Sequence, residues 1–230
     1  MSPLPITPEY LMSALQDGHT AGEMTLFNHT VGDLILPSGQ LVACDPFMAP
    51  DAPPFKLSMP YGKFPVTLSI AHIKTDERVA FATLRLTQTL PASWEMLTVG
   101  NQKISTLEEG ELFGYGVDTG TGCFMDLSTS RALSERMAEQ EDFYETLIAE
   151  MDKTYKNTWS WLDARFGDGN LLAFSSGYGD GVYATYAGRD SNGNISAVVT
   201  DFGVLPFEKP LQKPTRKTLS SFVTGLFGKN

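Results

Sequence analysis

Phe64-Pro65-Val66-Thr67-Leu68-Ser69-Ile70 and, beyond the polar stretch 72–78, Val79-Ala80-Phe81-Ala82-Thr83-Leu84-Arg85-Leu86 decide the fold class. Both segments alternate. In the second, Val79, Phe81, Thr83 and Arg85 face one way, and Ala80, Ala82, Leu84 and Leu86 the other, which is the period of a strand. No helix separates the two runs. Outward from this pair the same grammar repeats. Leu34–Leu36 and Leu41–Cys44 flank the turn signal Pro37-Ser38-Gly39, so 34–44 is expected to be a hairpin. A further strand begins near Trp94. Val182–Tyr186 and Ile195–Phe202 surround Gly188-Arg189-Asp190-Ser191-Asn192-Gly193-Asn194, a run dense in turn formers, and read as a second hairpin. Roughly nine or ten strands in succession, with two main helices and no βαβ order, predict an α+β fold built on a largely antiparallel sheet or sandwich.

The first helix is short. Thr7 caps it, Pro8 suits the first helical position, Glu9 complements the positive helix end, and Gly18 stops it. The second is expected to be long. From about Ser130 to Phe166 there is neither Gly nor Pro, and Leu133, Met137, Tyr144, Ile148, Met151 and Tyr155 recur near helical spacing. Glu135, Glu139, Glu141, Asp142, Glu145 and Glu150 supply its wet face.

The formal charge is −10. Residues 208–230 hold Lys209, Lys213, Arg216, Lys217 and Lys229 against Glu208, a net of +4, so the first 207 residues carry −14. The expected organisation is one acidic globular domain, 1–207, followed by a basic amphipathic tail, 208–230. In that tail Leu219, Phe222, Val223, Leu226 and Phe227 follow the i, i+3, i+4, i+7, i+8 pattern of an apolar helix face. It suits a terminal helix folded back on the acidic body, docking on a protein partner, or contact with a membrane surface. Gly225 and Gly228 weaken an isolated helix and disfavour the membrane reading. So acidic a body argues against a general nucleic-acid binder. No apolar run reaches the roughly 18 residues of a membrane span, and the N-terminus lacks the basic start of a secretory signal. A cytoplasmic location is the resulting expectation. Cys44 and Cys123, with three histidines, provide neither a disulfide scaffold nor a Cys/His zinc site. No cofactor is expected.

Two blocks concentrate chemistry. The first is Tyr115-Gly116-Val117-Asp118-Thr119-Gly120-Thr121-Gly122-Cys123-Phe124-Met125-Asp126. Its glycines permit close approach of a ligand or a second strand. Asp118 and Asp126 could bind a cation, hold turn amides, or cap a following helix. Asp118-Thr119-Gly120 matches the core of aspartic proteases, but that chemistry needs two carboxylates, and no second Asp-Thr/Ser-Gly occurs. It is not a Walker loop, since no Gly-Lys-Ser/Thr follows. Cys123 could act as a nucleophile, although His19, His29 and His72 are all distant in sequence. The second block is Ser176-Gly177-Tyr178-Gly179-Asp180-Gly181-Val182-Tyr183, in which Asp180 could bind a ligand or its own turn. Asp201, ending the last strand, could join Asp118 or Asp126 around Mg²⁺ or Ca²⁺. The candidate binding residues are thus Asp118, Thr121, Asp126, Asp180, Tyr183 and Asp201. A catalytic alternative uses Asp118, Asp126, Cys123, Asp180 and Tyr183.

These blocks occur in an order that resembles the domain-of-unknown-function family numbered 4241. Gly32-Asp33-Leu34, Leu36-Pro37-Ser38-Gly39 and Ala43-Cys44-Asp45-Pro46 look like its opening, followed by Phe64-Pro65-Val66 and Arg78-Val79-Ala80. Gly116–Asp126 is similar to its central signature. Ser176-Gly177, Gly179–Tyr183, Gly188 and Thr200-Asp201-Phe202 are similar to its closing one. The likeness covers about residues 31–204. It implies that the Gly/Asp blocks belong to one domain, and it supplies no catalytic residue set or cofactor. By analogy with bacterial domains of this kind, it points to an immunity protein. The leading expectation is a cytoplasmic, non-catalytic protein that binds a basic toxin or effector through its acidic surface. The alternative is a metal-assisted hydrolase built on Asp118, Asp126, Asp180 and Asp201.

Overall fold

A computed structural model describes residues 6–206. The tail residues Leu219, Phe222, Val223, Leu226 and Phe227 lie outside the described residues. In chain order the elements are α1 (Pro8–Ser13), β1 (Thr20–Ala21), β2 (Met24–Leu36), β3 (Leu41–Cys44), β4 (Gly62–Ile73), β5 (Asp76–Arg85) and β6 (Ser93–Met96). There follow β7 (Tyr115–Val117), β8 (Thr121–Asp126), α2 (Leu127–Glu139), α3 (Phe143–Asp152), β9 (Trp161–Phe166) and β10 (Gly169–Ser175). The last are β11 (Gly181–Tyr183), β12 (Thr185–Arg189) and β13 (Ile195–Asp201).

A seven-stranded sheet has the order β1-β2-β4-β5-β13-β12-β6, and a four-stranded sheet the order β3-β8-β10-β9. Every pairing in both is antiparallel. The α+β reading with a largely antiparallel sheet is therefore correct. Side-chain alternation on the smaller sheet divides the interior in two. Leu41, Ala43, Phe124, Leu172 and Phe174 join the large cluster formed with the seven-stranded sheet. Val42, Cys44, Cys123, Met125, Leu171 and Ala173 point the other way and are covered by Leu133 of α2 with Leu147 and Met151 of α3. The result is three layers: sheet, sheet, helices.

α1 forms with the expected cap, the Thr7 hydroxyl accepting the Tyr10 amide at 3.2 Å, but it ends at Ser13 with Ala14 as its C-cap, short of the expected stop at Gly18. Leu11 buries against the sheet, and Ser69 of β4 donates to the Ala14 carbonyl at 2.8 Å, closing the helix end. The runs at 64–70 and 79–86 are β4 and β5. They extend further than expected, to a tight turn at Lys74-Thr75 with Ile73 opposite Asp76. Pro65 stands opposite Asp33 of β2, while the β4–β5 pairing runs only from Val66, so on the β5 side no ladder partner needs its missing N–H.

Two larger expectations are corrected. The 34–44 segment is not a hairpin. Leu34–Leu36 ends β2, which pairs with β4, whereas Leu41–Cys44 pairs with β8 in the other sheet. The turn exists, but it carries the chain between sheets, because Asp126 captures the Ser38 amide at 2.9 Å and its hydroxyl at 2.7 Å. Gly39 adopts φ +70 there, where a Cβ would strike the Met59 carbonyl. The second correction concerns the long helix expected over 130–166. Helix α2 stops at Gln140, which takes an extended conformation, α3 ends near Lys153, and 161–166 is strand β9. Of the expected apolar stripe, Leu133 and Met151 are buried, whereas Tyr144, Ile148 and Tyr155 are exposed; Leu147, outside that stripe, is buried instead. A left-handed turn at Asn157 leads into Trp159-Ser160-Trp161, and aromatic residues favour strand over helix. Trp159 is buried, stacked on Trp161 with centroids 5.5 Å apart, and its indole donates to Glu77 at 2.9 Å. A hairpin around 188–194 is present as β12 and β13, held by Asp190, whose carboxylate accepts the amides of Asn192 and Asn194 at 2.9 Å each, but its first arm is Thr185–Arg189 and not the expected Val182–Tyr186, because Val182 and Tyr183 belong to β11, which pairs with β7.

Asn170 of β10 locks the two sheets together. Its amide oxygen accepts the Ile35 amide at 2.8 Å, and its nitrogen donates to the Asp33 carbonyl at 3.0 Å and to Asp163 at 2.7 Å. Asn170 is buried, so its removal leaves backbone groups of β2 unpaired. Asn170→Ala is expected to lower stability by about 2–4 kcal/mol, read from urea denaturation. A loss below about 1 kcal/mol would show that water replaces the amide.

Candidate functional site

The first Gly/Asp block becomes β7, a turn, and β8. The turn is organised by Asp45, which the sequence places in the run Ala43-Cys44-Asp45-Pro46 and which is not among the expected site residues. This carboxylate is 1% exposed. One oxygen accepts the amides of Asp118 and Thr119 at 3.0 and 2.9 Å, and the other accepts the Thr119 hydroxyl at 3.0 Å. The second oxygen also takes the amides of Phe47 and Met48 at 3.0 and 3.3 Å. A single buried charge therefore fixes two turns, and its own desolvation is offset by five donors. Gly122 is required next. The Tyr115 phenol oxygen lies 2.7 Å from the place a Cβ would occupy.

The second block folds against the first. The Ser176 amide donates to the Gly120 carbonyl at 3.0 Å, and β11 pairs with β7, placing Gly181 opposite Val117 and Tyr183 opposite Tyr115. Tyr183 is an internal clamp, its hydroxyl donating to the Gly179 carbonyl at 2.6 Å. Burial and the neighbouring Asp180 charge raise its phenol above the ordinary range. The resulting ribbon presents Asp118 and Asp180 to solvent, one residue beyond the Val117–Gly181 pair on each strand. Among the described residues neither carboxylate has a hydrogen-bond partner. Tyr178 and Val182 stand on the same ribbon, each 61% exposed, with the Arg78 guanidinium 5.4 Å from the Tyr178 ring centroid.

The other candidate residues are placed elsewhere. Thr121 is buried and its hydroxyl turns back to the Thr119 carbonyl at 3.4 Å. Asp126 is fully buried and caps α2, accepting the Ser128 amide and hydroxyl at 2.9 and 2.7 Å in addition to Ser38. Asp201 accepts the Tyr10 hydroxyl at 3.1 Å and the Gly203 amide at 2.9 Å. Cys123 lies against Cys44, not beside a histidine. The structure thus brings Asp118, Asp180 and the Tyr183 clamp together on one ribbon, and leaves Asp126 and Asp201 in separate surroundings. Among the described residues no three His, Cys, Asp or Glu side chains gather as metal ligands. No helix among them is long and apolar enough to cross a membrane.

A cavity of about 230 Å³ opens beneath the ribbon, lined by Cys44, Phe55, Leu97, Phe113, Tyr115 and Tyr183 among others. None of its lining side chains is charged. Sequence reasoning missed it because its walls come from four separated segments, around residues 43–55, 97–102, 113–116 and 183–185. Asp45 was legible in principle: an Asp at a strand end beside Pro46 is a turn-holding residue. Its partners at 118–119 were not.

The division between inward and outward acids is measurable. Asp45→Ala is expected to cost about 3–5 kcal/mol in urea denaturation, since buried donors lose a charged acceptor. Asp118→Ala should stay within about 0.5 kcal/mol of wild type. A pH effect follows from Asp201, whose carboxyl is lifted to about 6 by burial, above its ordinary value. The fold therefore favours the protonated acid. This contribution is complete below about pH 4 and is lost as the pH rises through about 6. Asp201→Asn should flatten the corresponding segment of a stability-versus-pH curve.

No curated protein and no solved structure matches the chain. A family profile matches residues 34–200, a span that begins in β2, includes both Gly/Asp blocks and ends in β13. The chain belongs to the family described as protein of unknown function, DUF4241.

Proposed function

We propose that this protein is a non-catalytic binding protein that grips a basic protein partner through the β7–β11 ribbon. The observation that carries the reading is the contrast among the acids of the signature blocks. Asp45 and Asp126 are consumed by amides and hydroxyls, while Asp118 and Asp180 face solvent beside exposed Tyr178 and Val182. An aromatic and an aliphatic anchor ringed by charge is the composition of an interaction surface. The −14 carried by the first 207 residues adds long-range attraction for a positive partner. Such a partner suits a toxin whose target is a polyanion, and the protein is then its immunity protein, acting in the cytoplasm of a bacterium. The metal-assisted hydrolase reading is less well supported, because Asp126 and Asp201 are already engaged away from the ribbon.

The test is co-expression and direct titration with the products of neighbouring genes, at low and high salt. A rescued toxin whose association rate falls steeply with salt is expected. Asp118→Lys combined with Asp180→Lys should weaken that binding about 10-fold or more, mainly through slower association. Tyr178→Ala should act mainly by faster dissociation. A protein that rescues nothing and binds none of these products ends the reading. A melting temperature raised by Mg²⁺ or Ca²⁺, and lost with Asp118→Asn, would favour the hydrolase instead.

A further inference from the structure

The two cysteines of the chain are 79 residues apart in sequence, and their Sγ atoms are 3.6 Å apart. Cys44 ends β3 and Cys123 is its directly opposed partner in β8. Both side chains are buried on the face of the smaller sheet that is turned towards the helices. Opposed residues of antiparallel strands have Cα atoms about 4.5–5.5 Å apart, which lies within the range of about 4.4–6.8 Å that a disulfide spans. A disulfide bond is about 2.05 Å long, so the sulfurs need to approach by roughly 1.5 Å, a distance that side-chain rotation supplies. Cys44 lines the cavity of about 230 Å³ under the ribbon, and Cys123 does not. With no charged residue in the cavity walls, a small neutral molecule enters without losing an ionic partner.

We propose that Cys44 and Cys123 form a reversible redox pair that closes to a cross-strand disulfide when a hydroperoxide reaches Cys44 through the cavity. In the first step the Cys44 sulfur attacks one peroxide oxygen. The O–O bond breaks, Cys44 becomes a sulfenic acid, and the other oxygen leaves as water, or as an alcohol from an organic peroxide. In the second step the Cys123 sulfur attacks the Cys44 sulfur. The S–S bond forms, the S–O bond breaks, and hydroxide departs as water with the proton of the Cys123 thiol. The two sulfurs give up two electrons, and the peroxide takes them. An external dithiol reverses the reaction by exchange. The hydrogen bond with Cys123, burial, and the nearby charges of Asp45 and Asp51 all hold the Cys44 thiol well above its ordinary value. At neutral pH the pair is therefore a slow responder, suited to sustained oxidation and not to a brief pulse.

The experiment uses the full chain and hydrogen peroxide, with remaining thiols alkylated before intact-mass analysis. The expected product is a monomer lighter by two hydrogens, carrying no alkyl group and yielding a peptide that links Cys44 to Cys123. Dithiothreitol should restore two alkylatable thiols, and the oxidised form should unfold at higher urea because the cross-link restricts the unfolded chain. In Cys123→Ser, dimedone should trap a sulfenic acid at Cys44. In Cys44→Ser, Cys123 should stay unmodified over the same period. Two free thiols after prolonged exposure, a sulfonic acid without a cross-link, a dimer joined through either cysteine, or earlier labelling of Cys123 would overturn the proposal. If a variant does not fold, the wild-type mass measurement decides alone.

Discussion

The two central strands of the smaller sheet, β8 and β10, are buried on both faces, and the architecture follows from that constraint. Every residue of β8 is buried, as are six of the seven in β10. A sheet of this kind cannot leave either side wet, because each exposed strand would forfeit about 25 cal/mol for every Å² of apolar surface returned to water. One side is closed by the curved seven-stranded sheet and the other by α2 and α3. The connections between layers then cross regions with little solvent. Their amides need partners from the protein itself.

Asp45, Asp126 and Asn170 meet that need. Each sits on a strand of the inner sheet, or at its end, and accepts hydrogen bonds from a turn or strand belonging to a different part of the chain. Interior turns are thereby held without regular secondary structure, and held in one geometry. The ribbon inherits this rigidity. Asp118 and Asp180 are presented on a backbone whose position is set by Asp45 and the Tyr183 clamp, so little conformational freedom remains to be lost when a partner arrives. The glycines of the signature blocks serve the same end: Gly122 leaves room for a phenol, and Gly120 lies against Gly179.

Much of the fold was legible where local pattern and tertiary pairing agree. The alternation at 64–70 and 79–86, the Thr7 cap and the turn formers at 188–194 each report one short-range fact, and each led to the observed element. The failures arose where tertiary partners overrode a local signal. Pro37-Ser38-Gly39 does make a turn, but the choice between hairpin and sheet-to-sheet crossing was made by Asp126, far along the chain. The stretch 130–166 lacks helix breakers, yet Trp159 and Trp161 are drawn into the seam beside His29, and the helix cannot continue through them. At the site, residue types indicated that the Gly/Asp blocks matter together. Which carboxylates turn inward depends on partners from distant strands, and no spacing rule encodes that.

The stacked indoles have a practical consequence. The chain has three tryptophans. Trp159 and Trp161 lie nearly parallel, with an interplanar angle of 26°, and the His29 ring stands edge-on to both. Rings this close couple their ultraviolet transitions, so the pair contributes a split circular-dichroism band that reports the geometry of the chain at the start of β9. Trp94 sits on β6, at the opposite margin of the large sheet. The molecule thus carries two optical reporters, one for the start of β9 and one for the far strand, and no dye has to be attached to follow them separately.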